Sequence, residues 1–205
     1  MYRTRFTLVL TTLVLVLALA ASPALAKKKQ LVDIPLEWKP TNELGDYETV
    51  DLTGMLDVTI QVGEFTDDRD DKKAIGENRE DADQDKILPV STKDDVAAWS
   101  ADHVTKVLGM FGMKTTDKDG DVVLSADVRR FFVTETNTYE SDVAFTVTLK
   151  DGEGEVLWQG LVGGTASRFG RSYKAENYYE TISDALMNAV HDFLTDDSVR
   201  TALTR

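Results

Sequence analysis

The sequence contains no cysteine, only four prolines and only two histidines among its 205 residues. Without cysteine, a disulfide framework, thiol catalysis and thiolate metal ligands are all excluded. Stability must therefore come from the burial of apolar side chains and from hydrogen bonds. The two histidines, His103 and His191, lack the spacing of a zinc site, and we interpret both as surface or boundary residues.

Positive charge is also scarce, because 23 lysines and arginines stand against 36 aspartates and glutamates, a formal net charge of −13. An acidic surface repels phosphate backbones, so we expect no nucleic-acid partner. The sequence also contains no serine-nucleophile elbow and no phosphate-cradling glycine loop followed by lysine. We therefore predict a protein that is not an enzyme and that carries no cofactor.

The first 26 residues have the pattern of a secretory signal peptide. Arg3 and Arg5 precede an apolar run over residues 6–21, and Ala24 and Ala26 form a small-residue cleavage site. We predict export, cleavage after Ala26 and a periplasmic or envelope-associated location. The alternative is retention of this segment as a membrane anchor, although residues 6–21 are fewer than the about 20 apolar residues that a spanning helix needs.

Periodicity predicts an extended N-terminal arm over residues 27–51 and a single α+β domain over residues 52–205. Alternating apolar residues predict strands, and apolar residues three and four apart predict helices. We expect the order β-α-β-β-β-α, in a two-layer sandwich whose four-stranded, mostly antiparallel sheet carries both helices on one face. The predicted strands are 56–62, 122–133, 143–149 and 156–169, and the predicted helices are 96–111 and 177–194.

Three sequence features resemble YajG-type bacterial envelope lipoproteins: residues 62–69 (Val-Gly-Glu-Phe-Thr-Asp-Asp-Arg), the later Ile75-Gly76, and the strand from Trp158 to Phe169. The resemblance extends over residues 52–203. It implies a cell-envelope protein of undefined biochemical role, akin to auxiliary components of envelope transport systems. Those relatives carry a lipidated cysteine at the mature N-terminus, where this chain has Lys27, so we expect no lipid anchor.

A cluster of cations between the last strand and the last helix is the local exception to the acidic balance. A basic loop at a helix entrance can hold a phosphate, an anionic headgroup or an acidic protein surface. Alternatively, these cations pair with Glu176 or Glu180 and reduce self-repulsion. The candidate residues for binding an anion or an envelope partner are Arg168, Arg171, Tyr173 and Lys174.

Two acidic segments are weak candidates for cation binding. Asp117, Asp119 and Asp121 match the opening of a calcium-binding loop, but Val122 replaces the glycine of the tight turn, and a polar turn explains the same residues. Residues 64–86 have no regular period, so we predict a long solvated loop there. The loop could also supply carboxylates to a cation site or a hydrolase, although a solvated or partner-facing loop is the preferred interpretation.

Overall fold

The computed structural model describes residues 30–81 and 86–205, so the predicted signal segment lies outside the described residues. The described chain contains a short 3-10 helix, Leu44–Asp46, followed by seven strands and three α-helices. The strands are β1 (Thr59–Asp67), β2 (Ala74–Asp81), β3 (Lys86–Ser91), β4 (Lys114–Thr116), β5 (Val122–Glu135), β6 (Thr138–Asp151) and β7 (Val156–Phe169). The helices are α1 (Val96–Met110), α2 (Ala175–Thr195) and α3 (Asp197–Leu203).

The predicted α+β class is confirmed, but the prediction of a four-stranded sheet is wrong. Over the described residues, the sheet has seven strands and is mixed rather than mostly antiparallel, and the observed element order differs from the predicted one. The solvated loop predicted over residues 64–86 instead contains the end of β1, all of β2 and the start of β3. In β2 the only large apolar side chain is that of Ile75, so the strand has no alternating apolar pattern. It is defined instead by backbone pairing with β3 and β5.

β5 is the central strand of the sheet, and its two sides are used differently. One side pairs antiparallel with β6 along residues 122–135. The other side pairs in parallel with β1 over residues 122–128 and then with β2 over residues 133–135. β7 pairs with the far side of β6, while β4 and β3 follow β1 and β2 outward. β1 and β2 therefore follow one another along a single edge of β5.

The two long helices pack against the same face of this sheet, which we call the inner face. Leu108 of α1 and Phe193 of α2 border one apolar space together with Leu124 of β5 and Phe145 of β6. Contact is closest at Gly164 of β7, where an added Cβ atom would collide with the carbonyl oxygen of Ala185 and lie 2.9 Å from the Cα atom of Ala189. A glycine is required there because the helix backbone lies directly on the strand.

The N-terminal segment, residues 30–51, lies against the helices. Asp184 of α2 is buried and accepts hydrogen bonds from the Thr41 amide at 2.7 Å and the Asn42 amide at 3.0 Å. The ring of Trp38 stacks on His103 with centroids 4.7 Å apart, and a ring nitrogen of His191 lies 3.1 Å from the Glu48 carbonyl oxygen. Burial lowers the pKa of His103. Through these contacts both histidines take part in the packing between the segment and the helices.

Within residues 30–81 and 86–205, none of the helices combines the length and apolar character needed to cross a membrane.

Candidate functional site: the open face of the sheet

The opposite face of β5, β6 and β7, which we call the open face, has no helix against it in the described chain. A β-bulge shapes this face, because the register between β5 and β6 shifts between Val128 and Arg130. Arg129 and Arg130 are consequently both exposed, whereas Val128 and Phe131 on either side are both buried. A bulge bends its strand and increases the local twist. The bulge therefore places two arginines outside while the apolar alternation resumes at Phe131.

Two adjoining hollows of about 550 and 510 Å³ lie on the open face, and together we call them the open groove. Space is available because the strand positions facing outward carry small side chains at Ala144, Gly163 and Thr165. The groove is lined by the side chains of Arg130, Phe132, Thr134, Glu140, Asp142 and Ser167.

An ion pair crosses the open groove from β5 to β6. Nη1 of Arg130 lies 2.7 Å from Oδ2 of Asp142, and their side chains are 68% and 40% exposed. Hydroxyl groups of Thr134 and Ser167 and the half-buried ring of Phe132 add polar and apolar contacts along the strands. Small-molecule sites enclose most of their ligand. An open, elongated groove with hydrogen-bonding groups along its length suits an extended ligand instead.

The loop between β7 and α2, residues 170–174, contains three of the four predicted anion-binding residues and is anchored on a buried carboxylate. Tyr173 is buried with φ +43°, its amide donates to Oε1 of Glu135 at 2.8 Å, and its hydroxyl donates to the Pro89 carbonyl at 3.2 Å. Glu135 is fully buried on the inner face and also accepts from the hydroxyls of Tyr139 at 2.6 Å and Tyr178 at 2.9 Å. Burial, reinforced by the Glu135 carboxylate, raises the pKa of Tyr178 far above its usual value. Tyr178 is therefore a permanent hydrogen-bond donor.

The three predicted cations face different neighbours, and Arg168 lies in β7 rather than in the loop. Arg168 forms an ion pair with Glu180 of α2, which is one of the two pairings anticipated from the sequence. Arg171 donates to the side-chain oxygen of Asn137 in the β5–β6 turn, and Lys174 is an exposed residue immediately before α2. These contacts do not test binding of an anion or partner, so that role stays a prediction.

The acidic turn proposed as a weak calcium candidate supports the start of β1. Oδ2 of Asp121 accepts a hydrogen bond from the Thr59 amide at 2.8 Å, and Asp119 has a positive φ of 54°. A Cβ atom on Gly120 would lie 2.6 Å from the Gln61 amide, so the turn is pressed against β1. In the part of the chain that the structure describes, no three carboxylate or imidazole groups converge as a metal site, and Asp117 joins no such group.

A buried ion pair joins the last residue of β1 to the acidic stretch that follows it. Arg69 makes two hydrogen bonds to Asp67, at 2.9 and 2.8 Å, and their side chains are 8% and 10% exposed. Arg69 also donates to the carbonyls of Lys72, Ala74 and Phe131, and so ties the β1–β2 connection to β5. Burial opposes ionisation of Asp67, but the hydrogen bonds from Arg69 outweigh burial and hold the pKa of Asp67 below its usual value.

Reasoning from the sequence missed both the open groove and the buried Arg69–Asp67 pair. A usable signal for the groove was the slip in apolar alternation from Val128 to Phe131 around two arginines, which is typical of a bulge. For the buried pair we find no comparable signal, because Arg69 stands in a run of charged residues that looks uniformly solvated.

No protein-family model and no curated protein matches this sequence. Among solved structures, it is similar to a Xanthomonas campestris protein of the DUF330 family, at 15% identity and TM-score 0.46, over 72% of this chain and 85% of that one. PelC from Paraburkholderia phytofirmans, solved as a dodecamer, is 15% identical over 68% of this chain and 88% of its own, with TM-score 0.39. A lipoprotein candidate from Caulobacter crescentus is 14% identical over 52% and 82%, with TM-score 0.42. No residue role is carried over from these proteins, and the YajG-type resemblance stays a prediction.

Proposed function

We propose that this protein is a non-enzymatic accessory module of the bacterial cell envelope, which binds a partner protein or an envelope component through the open groove. The observation that carries this proposal is the pair of adjoining hollows on the open face, about 550 and 510 Å³, bordered by the Arg130–Asp142 ion pair. A ligand can reach this face because no helix of the described chain covers it, and the hollows provide a concave surface against which the ligand can pack.

The framework around the open groove favours binding. β5, β6 and β7 are each 14 residues long, and β6 pairs with β5 on one side and with β7 on the other along nearly its whole length. Sites on strands hold their side chains more firmly than sites on loops. Arg130 and Asp142 are exposed and paired with each other, an arrangement that gives orientation and specificity to an interface.

The cellular setting rests on the sequence. The signal-peptide pattern of residues 1–26 supports export, and the YajG-type resemblance over residues 52–203 supports a place in the envelope. Because no cysteine is present to carry a lipid, we propose that the exported protein is either free in the periplasm or held by its partner.

The predicted loop residues extend this surface. Arg171 lies against the β5–β6 turn at Asn137, beside the paired strand ends Thr138 and Phe169, and Lys174 is exposed nearby along the chain. We propose that Arg171 and Lys174 contact acidic groups of the bound envelope partner, while Arg168 and Tyr173 hold the loop in place.

Crosslinking in intact cells followed by mass spectrometry tests this function. We expect the wild-type protein to yield a reproducible envelope partner, and Arg130→Asp and Phe132→Asp to lose it, because both substitutions change the open groove. Arg79→Asp is the matched control, since Arg79 is exposed and paired with Glu77 on β2, outside the groove. Equal recovery of the partner by all variants would contradict the proposal.

A further inference from the structure

β7 is an outer edge of the sheet, and its composition is unusual for an edge strand. It has 14 residues but only one charged residue, Arg168, whose charge pairs with Glu180 on the helix layer. Leu161 and Phe169 are 73% and 84% exposed. The whole chain has 29% charged residues, so a long edge strand that exposes apolar side chains and has almost no charge stands out from the rest of the surface. Edge strands of this kind are able to pair with another chain.

The other two outer strands are protected against pairing with a further chain. β4 has only three residues and begins with Lys114. β3 carries Pro89, and its end is covered by the N-terminal segment, since Ile34 donates to the Ser91 carbonyl at 2.9 Å and Ser91 donates to the Leu31 carbonyl at 3.0 Å. Short length, lysine, proline and a covering segment are the usual ways in which edges are blocked. β7 is long and has neither lysine nor proline, and in the described chain its outward backbone is covered at one point, where Asn188 bonds to the Thr165 carbonyl.

A hydrogen bond of Thr165 shows which N–H and C=O groups of β7 point to the outer edge of the sheet, away from β6. The Thr165 carbonyl accepts from Nδ2 of Asn188 on α2 at 2.7 Å, so the backbone of Thr165 points away from β6. The pairing of β6 with β7 has no register shift over residues 158–169. In an antiparallel pair, every second residue of a strand turns both its N–H and its C=O away from the partner strand. Leu161, Gly163 and Ser167 therefore present their N–H and C=O groups at the outer edge. In the described chain, no side chain of α2 or α3 bonds to these three.

The surroundings of this edge differ in charge between its two sides. The open side carries the exposed side chains of Leu161 and Phe169. The second hollow passes around the edge at Gly163, because it is bordered both by Ala144 on the open face and by Asp192 on α2. Asp192 is 70% exposed, and in the described chain its only ion-pair neighbour is the adjacent His191. On the open side, the hollow is therefore bordered by Leu161 together with Arg129 and Arg130, and on the helix side it is bordered by the acidic Asp192.

We propose that a partner protein adds an extended segment to β7 as a further strand, in which basic side chains alternate with apolar or threonine side chains. Successive side chains of a strand point to opposite faces, so one set would contact Leu161 and Phe169 and the other set would meet Asp192. This inference rests on the proposed function, because it specifies how the envelope partner binds.

Electrostatics favours a basic segment of the partner over a second copy of this chain at the β7 edge. Two copies paired through β7 about a two-fold axis would bring like surfaces together, including both Asp192 carboxylates, and each chain has a formal net charge of −13. A segment with lysine or arginine at alternate positions replaces that repulsion with attraction.

Two synthetic peptides of about ten residues, long enough for one strand, test the proposal with the full chain. One peptide alternates lysine with threonine and valine, and the other carries glutamate in place of lysine. We expect fluorescence anisotropy to show binding of the lysine peptide only. Asp192→Asn should weaken this binding severalfold.

Leu161→Pro and Leu161→Ala form a matched pair on the protein side. Proline removes an outward N–H and is tolerated in edge strands, so the β6–β7 ladder stays intact, whereas alanine removes only the exposed side chain. We expect Leu161→Pro to bind the lysine peptide about tenfold more weakly than Leu161→Ala, a difference of about 1.4 kcal/mol. Ser167→Pro repeats the test if the melting temperature shows that Leu161→Pro is poorly folded.

Several results would overturn strand addition by a basic segment: binding of neither peptide, equal binding of both, or equal binding by Leu161→Pro and Leu161→Ala. A dimer in sedimentation experiments that Leu161→Pro dissociates would assign the edge to a second copy. If Phe132→Asp loses the envelope crosslink and Leu161→Pro keeps it, the open groove binds the partner and the β7 edge does not.

Discussion

Neighbouring strands place two carboxylates in opposite environments. Glu135 of β5, on the inner face, is fully buried and accepts three hydrogen bonds from Tyr139, Tyr173 and Tyr178. On the open face, the side chain of Asp142 in β6 is 40% exposed and pairs with Arg130. The inner carboxylate organises the protein's own chain, since it joins β5, β6, the 170–174 loop and α2. The outer carboxylate is available to a ligand.

We expect the largest change in stability from a substitution of Glu135. Glu135→Ala removes the carboxylate that accepts from two tyrosine hydroxyls and one amide in the buried interior, and we expect a loss of about 4 kcal/mol in the free energy of unfolding. Asp142→Ala, the control on the open face, breaks an exposed pair and should cost no more than about 1 kcal/mol. Urea unfolding measures both values. Equal losses would show that the two faces do not differ in this way.

The next largest difference in stability is expected between substitutions of two adjacent glycines of β7, Gly163 and Gly164. A Cβ atom on Gly164 would collide with the α2 backbone at Ala185, so we expect Gly164→Ala to destabilise the protein by about 3 kcal/mol. On the open face, a Cβ atom on Gly163 would lie 3.3 Å from the Val143 carbonyl oxygen, a contact that small shifts relieve. Gly163→Ala should therefore change stability by less than about 0.5 kcal/mol. Thermal unfolding of both variants tests the contrast, and the same loss from each would contradict it.

The smallest effect is a pH dependence at the buried Arg69–Asp67 pair. Since the folded-state pKa of Asp67 is lowered, its contribution to stability is present above the unfolded pKa of about 3.9 and is lost as pH falls through the folded value. We expect Asp67→Asn to flatten the decline in stability below about pH 4. Asp142→Asn, in the exposed pair, is the control and should leave the decline nearly unchanged. Identical acid profiles for wild type and Asp67→Asn would refute the prediction.

Local patterns predicted the elements whose apolar residues repeat clearly. β6 alternates from Val143 to Leu149, and α1 has its buried residues three and four apart, beginning after Asp95, whose side chain accepts a hydrogen bond from the Ala98 amide. β2 escaped prediction because its strand character comes from backbone pairing with two distant strands. The predicted start of the last helix at Asn177 was also wrong, since α2 begins at Ala175 without a side-chain cap on Lys174.

The candidate site was predictable only in part. The sequence located the loop with Arg168, Arg171, Tyr173 and Lys174, but the ion pair of Arg168 with Glu180 depends on how α2 lies across β7. The open groove was not predictable, because it requires three strands to be paired in register and one face to stay uncovered. Neither condition is encoded in a short run of residues.

The sequence by itself determined the acidic surface, the absence of thiol chemistry, the export pattern of residues 1–26 and the three long strands with their two long helices. Each of these follows from composition or from short periodic patterns. Tertiary structure alone decided that β1 and β2 share one side of β5, that Glu135 is satisfied by three distant donors, and that β7 is left as an open edge. These features join residues far apart in the chain, so only the packing of the whole fold brings them together.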